Sequence, residues 1–268
     1  MPLPHTLRRA LALVLPGSMA MAAFPVGTLA AQLSVDRLEL VITPARAAQR
    51  GAYFSVLNGA DTAVSAAVYV GDWDRSDLGE LRFYAPGTRA RSCAHGLRVS
   101  PAVLRIPPRG VQPVEVTFDA DGVGAECWAM VFVEGTRPAD QDAGHEVVSV
   151  VRAGVEVYVQ PAAVVSEATI EDMQLVGRAA GGAARELVVT VRNTGTAHFV
   201  ARGTVEIRRP DNSVLSSTTV ENLAVLPGAV RRLSADIPPL PPGRYLVLVL
   251  VDHGGKGVAA GQLEFEAP

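Results

Sequence analysis

The sequence predicts an all-β protein built as two immunoglobulin-like β-sandwiches in tandem. Three observations carry that expectation. Short runs alternate apolar and polar residues, with Gly, Pro, Asn and Asp between them, which is the pattern of half-buried strands and tight turns. No segment beyond the N-terminal leader keeps a 3.6-residue apolar period between helix caps. The plan of the first half also recurs in the second, which sets the number of sandwiches at two.

The chain opens with a basic stretch (His5, Arg8, Arg9), an apolar run over residues 10–24 and a small-residue exit, Thr28-Leu29-Ala30-Ala31. Residues 1–31 are therefore expected to be a secretory signal peptide, removed on export to the periplasm. Pro16 and Gly17 interrupt the apolar run, which falls short of the about 20 clean apolar residues that a membrane span needs. Loss of the leader removes two arginines and no acids, so the formal net charge moves from −3 to −5. Such an acidic chain lacks the basic face of a nucleic-acid binder. The about 237 residues that follow suit two ordinary domains, and an apolar fraction of 49% is ample for packed cores.

Five alternating runs in the first half read as strands: 53–57, 64–70, 111–118, 128–134 and 146–158. Five more follow at 187–192, 204–208, 230–237, 245–252 and 262–266. The repeat is visible in three places. Phe-Ser-Val-Leu-Asn58 before a turn answers to Val-Thr-Val-Arg-Asn193 before a turn. Pro108-Arg-Gly110 and Pro227-Gly228 each open a strand. Cys127-Trp-Ala-Met-Val-Phe-Val matches Arg244-Tyr-Leu-Val-Leu-Val-Leu. The first copy carries about 17 additional residues between Asp72 and Gly110. The boundary is expected near Pro161-Ala-Ala-Val-Val165, giving domains 32–163 and 164–268, with the small-residue stretch 177–184 as a hairpin loop inside the second.

The motifs of catalysis are missing. No GxSxG, HExxH, P-loop or dinucleotide fingerprint occurs, so no enzyme activity, cofactor, metal or small-molecule substrate is expected. The five histidines are scattered, and His198 and His253, beside strand ends, read as solvent-facing or capping residues. Asp119-Ala-Asp121-Gly122 has too few ligands for a calcium loop and reads as a turn. The two cysteines, Cys93 and Cys127, form an even pair in an exported chain, where a disulfide is the expected state. Residues 146–160 hold the segment of most functional interest: a long, valine-rich run that ends a domain. An exposed strand edge can bind a partner by strand addition, with backbone bonds for affinity and alternate side chains for selectivity.

Taken together, the first domain resembles the periplasmic chaperones of pilus assembly. The residues that carry the resemblance are Leu33-Ser-Val-Asp-Arg37, Phe54-Ser-Val-Leu-Asn58, Ala67-Val-Tyr-Val70, Val99-Ser-Pro101 and Leu104-Arg-Ile-Pro-Pro-Arg-Gly-Val-Gln112. Glu126-Cys-Trp-Ala-Met-Val-Phe-Val133 and Val155-Glu-Val-Tyr-Val-Gln-Pro-Ala162 complete the set. The Asp72-Trp73 step and Arg91-Ser-Cys-Ala94 are similar to the more divergent members. The resemblance implies donation of the last strand of the first domain, residues 147–158, to an incomplete pilin sandwich, with an outer-membrane usher as second partner and only link to the membrane. Val147, Val148, Val150, Val151 and Arg152 would then contact the subunit. The family's basic pair, which holds the pilin's terminal carboxylate, aligns here with Glu39 and Glu156, which would repel it, so Arg37 or Arg152 would have to substitute. The family's interdomain ion pair keeps its acid, Glu126, but has Gln160 in place of arginine. A structural or adhesive Ig-like envelope protein without a client is the alternative expectation.

Overall fold

Alternation decides which residues meet in the cores. In β-strands successive side chains point to opposite faces, and here the buried face is almost entirely Val, Leu, Ile, Phe and Ala. The computed structural model describes residues 33–44, 51–119, 122–137, 149–177 and 185–267, and their regular structure is all β. Residues 1–31, the expected leader, lie outside the described residues, as do Val147 and Val148.

The first half contains β1 (Leu33–Val35), β2 (Glu39–Ile42), β3 (Gly51–Asn58), β4 (Val64–Arg75), β5 (Leu81–Tyr84), β6 (Leu97–Ser100), β7 (Val103–Ile106), β8 (Val111–Phe118), β9 (Cys127–Arg137) and β10 (Ser149–Val159). One sheet runs β1-β3-β8-β6; the other runs β2-β10-β9-β4-β5, with β7 also on β4. They enclose a core of Phe54, Val56, Leu104, Ile106, Val114, Val131 and Val157 among others. The second half contains β11 (Ala168–Gly177), β12 (Arg185–Asn193), β13 (Phe199–Arg208), β14 (Val214–Val225), β15 (Val230–Ile237), β16 (Gly243–Asp252) and β17 (Val258–Ala267). Its sheets are β11-β12-β15 and β14-β13-β16-β17, closed over Leu187, Val189, Leu233, Val247 and Val249. Among the described residues no strand pairs across the two halves. The fold is two immunoglobulin-like sandwiches.

The strand expected at 146–158 is described from Ser149, and every other expected run lies within a strand. Gly177 pairs with Arg185, so the small-residue stretch does join two hairpin partners. The additional residues of the first copy are β5, β6 and β7, where the second copy has only β14 between the matching strands. Cys93 and Cys127 are joined in a disulfide with Cα atoms 5.3 Å apart. Asp72, buried, holds the loop that brings Cys93 there: its carboxylate accepts from the Thr88 and Arg89 backbone amides at 2.8 and 2.9 Å and from the Ser92 hydroxyl.

Candidate functional site

β10 has two halves with different neighbours. Along its whole length it pairs antiparallel with β9, from Ser149↔Arg137 to Val159↔Cys127. On its other side β2 pairs with it, in parallel, only over residues 156–159. Among the described residues no strand covers that side of residues 149–155. The amides of Glu156 and Gln160 donate to Leu38 and Ile42 on the β2 side. Backbone groups alternate in direction along a strand, so the amides and carbonyls of Val150, Arg152 and Gly154 face the open edge. The residue faces follow the same parity. Val155 and Val157 are fully buried and Val151 packs half-buried on the first core, whereas Val150 is 55% exposed on the outer face. Val150 and Val151 therefore stand on opposite faces.

The outer face of this sheet is aromatic. Trp73, Trp128, Met130, Phe132 and Tyr158 form a second buried cluster, which Leu226 and Ala229 of the second sandwich complete. Trp128 donates its indole N–H to the Trp73 carbonyl at 3.0 Å, and Tyr158 meets Trp73 edge-on, as such pairs prefer. The β4–β5 hairpin continues the junction. Ser76 and Asp77 accept from the Arg231 guanidinium and the Arg232 amide, and Asp77 pairs with Arg232 at 3.0 Å.

Four carboxylate and imidazole groups converge at the C-terminal half of β10. Glu39 and Glu156 lie side by side in register, but each has its own partner. Arg75, from the end of β4, is ion-paired with Glu156, which also accepts from the Tyr158 hydroxyl at 2.7 Å. Burial, with the neighbouring Glu156 charge, pushes the Tyr158 phenol far above its ordinary range. Glu39 faces His198 Nε2 at 3.5 Å, and this bond holds its carboxyl below the usual range. Glu126 has a fully buried side chain and accepts from the Gln160 amide, the His198 backbone amide and His198 Nδ1 at 2.7, 2.8 and 3.1 Å. The imidazole stacks on Tyr158 with centroids 3.4 Å apart.

These positions revise several expectations. His198 and His253 are beside strand ends but are not solvent-facing: the His198 side chain is 7% exposed, and His253 is buried near Phe199. The arginine missing at position 160 is answered from the other sandwich, by His198. Arg152 is committed to Glu134 at 2.6 Å and lies over the Phe132 ring, while Arg37 is exposed beside Asp36 at 3.8 Å. Sequence reading missed Arg75 and His198. One signal was available: Glu126 and Glu156 sit in runs that must be buried, and a buried carboxylate requires a charged or hydrogen-bonding partner. Alternation cannot say which partner, because both come from distant segments. Among the described residues no group of three or more His, Cys, Asp or Glu side chains is placed to hold a metal.

With the two sandwiches and their junction defined, the chain is similar to solved structures of chaperones, a fimbriae chaperone and a chaperone in complex with a pilin among them. The class 5 fimbriae chaperone CfaA is 12% identical, with 88% of this chain and 99% of that one covered and a TM-score of 0.47. The E. coli chaperone DraB is 17% identical over 88% and 95% of the two chains, with a TM-score of 0.42. A chain of the Salmonella enterica SafA pilin–SafB chaperone complex is 12% identical over 87% and 95%, with a TM-score of 0.44. No family profile matches the chain, and no curated protein does.

Proposed function

We propose that this protein is a non-enzymatic periplasmic chaperone that lends the open edge of β10 to an incomplete β-sandwich subunit of a surface fibre and passes the subunit to an outer-membrane usher. In this reading residues 1–31 are the export leader, and residues 32–163 and 164–268 are the two domains. The observation that carries it is the one-sided pairing of residues 149–155. An edge with free amides and carbonyls is a template for a further strand, and it belongs to the strand that the sequence resemblance marks as donor. Val147, Val148, Val150, Val151 and Arg152 remain the proposed contact residues, and Arg37 and Arg152 the proposed anchors of the client's carboxylate. The ion pairs of Arg152 with Glu134 and of Arg75 with Glu156 favour the second reading, an Ig-like envelope protein with no client, since both of these basic groups beside the strand are already paired.

Co-purification from periplasm with small β proteins, followed by their identification, separates the two. Under the chaperone reading an aggregation-prone fibre subunit is recovered, and Val150→Pro abolishes its capture at an unchanged melting temperature. Proline at 150 removes an amide that faces the open edge and bonds nothing within the sandwich. Val151→Arg should instead destabilise the first sandwich by about 2–4 kcal/mol by placing charge against the core. Undiminished capture by Val150→Pro would sink strand donation, and no captured subunit would leave the envelope reading.

A further inference from the structure

Both ring nitrogens of His198 face a carboxylate of the other sandwich: Nδ1 is 3.1 Å from Glu126 and Nε2 is 3.5 Å from Glu39. A neutral imidazole has one N–H and one lone pair; only the imidazolium donates from both nitrogens. The geometry therefore suits the charged form, and the neutral form would set a lone pair against one of the two carboxylates. The ring is also the piece of the second sandwich that stacks on Tyr158, at the junction face of β10. We propose that His198 is a proton-dependent latch: charged, it binds Glu39 and Glu126 together and seats the second sandwich on the first; neutral, it releases them and the two sandwiches turn about the linker.

The groups that face the ring come from several elements of the first sandwich. Glu39 comes from β2, Glu126 from the approach to β9, and Tyr158 and Glu156 from β10. Arg75 of β4 neutralises Glu156, and burial keeps the Tyr158 phenol uncharged well beyond the relevant range. Gln160, which shares Glu126, is neutral. Burial alone would lower the imidazole, but hydrogen bonds and charge from Glu126 and Glu39 outweigh it and raise the group from 6.5 to about 9. The folded value lies above the unfolded one, so the latch contributes fully below about pH 6.5 and is lost as pH rises through about 9. The junction would behave so whether or not β10 accepts a client.

The chain's two tryptophans, Trp73 and Trp128, both lie in the junction, so their emission reports on it directly. The full chain should be titrated from about pH 6 to about pH 10 by tryptophan fluorescence and small-angle X-ray scattering, with far-ultraviolet circular dichroism to follow the strands. The expected result is a red shift and a rise in radius of gyration with a midpoint near 9, strands intact. Glu39→Gln should move that midpoint down by about one pH unit, because it removes one of the charges that favour the imidazolium. His198→Gln should abolish the transition. Scattering that stays constant across the range, a midpoint indifferent to Glu39→Gln, or the same transition in His198→Gln would each overturn the latch. Should His198→Gln fail to fold, the Glu39→Gln midpoint decides alone.

Discussion

Asn58 in the first sandwich and Asn193 in the second hold the same corner by the same bonds. Each side-chain carbonyl accepts from the amide two residues on, Ala60 or Gly195, at 2.9 and 2.8 Å. Each side-chain amide donates to the carbonyl four residues on, Thr62 or Ala197, and to a facing strand or turn, where Asn58 meets two carbonyls, Ile106 and Pro107, and Asn193 meets one, Val225. Both are buried. What differs is the outer face of the strands that follow. In the first sandwich it carries Trp73, Trp128, Met130, Phe132 and Tyr158, with a disulfide, an added hairpin and a half-open strand beside it. The second supplies His198, Leu226, Ala229, Arg231 and Arg232 to cover part of that face. The shared corner is what any such sandwich needs to satisfy its backbone at a turn. The unshared face is where the first sandwich packs against residues of the second.

The disulfide offers the harshest way to break the comparison. Cys93 and Cys127 are 34 residues apart, so Cys93→Ala with Cys127→Ala should cost the first sandwich about 3–4 kcal/mol on the chain-entropy account. Urea unfolding followed at the two tryptophans should register the loss, while amide exchange in β12, β13 and β16 stays protected. An equal loss of protection in both halves would mean that they unfold as one unit.

The asparagines sharpen it. Asn58→Ala and Asn193→Ala each leave an amide donor and several carbonyls unsatisfied in buried surroundings, at a cost of about 2–3 kcal/mol apiece. The two losses should be similar in size and local to their own sandwich by hydrogen exchange. A large loss from one and none from the other would show the repeat to be one of sequence only.

The smallest effect is expected at Arg152→Ala. Its pair with Glu134 is half exposed, and such pairs contribute little to stability because water and salt screen them. The melting temperature should hardly move. If Arg152 anchors a client's carboxylate, capture should weaken at that unchanged stability; capture equal to the unaltered protein removes it from the contact set.

Much of this molecule was determined by the sequence alone, because the information is local. Alternation at 187–191 and 230–237 sets which side chains enter a core, Asn58 and Asn193 announce equivalent corners, and the only two cysteines of the sequence pair with each other. Tertiary structure decided the rest. Glu39 and Glu156 read as a repulsive pair until folding places Arg75 beside one and His198 beside the other. Val150 and Val151, adjacent in a strand, must point to opposite faces, but which of them faces the core is decided only by the packing of the folded sheet. Likewise, only the point at which β2 stops pairing reveals that, among the described residues, no strand covers that side of residues 149–155. The physical reason is common to all three. Strand periodicity is written within a few residues, but the partner of a buried charge or of a backbone edge is chosen by segments tens of residues away.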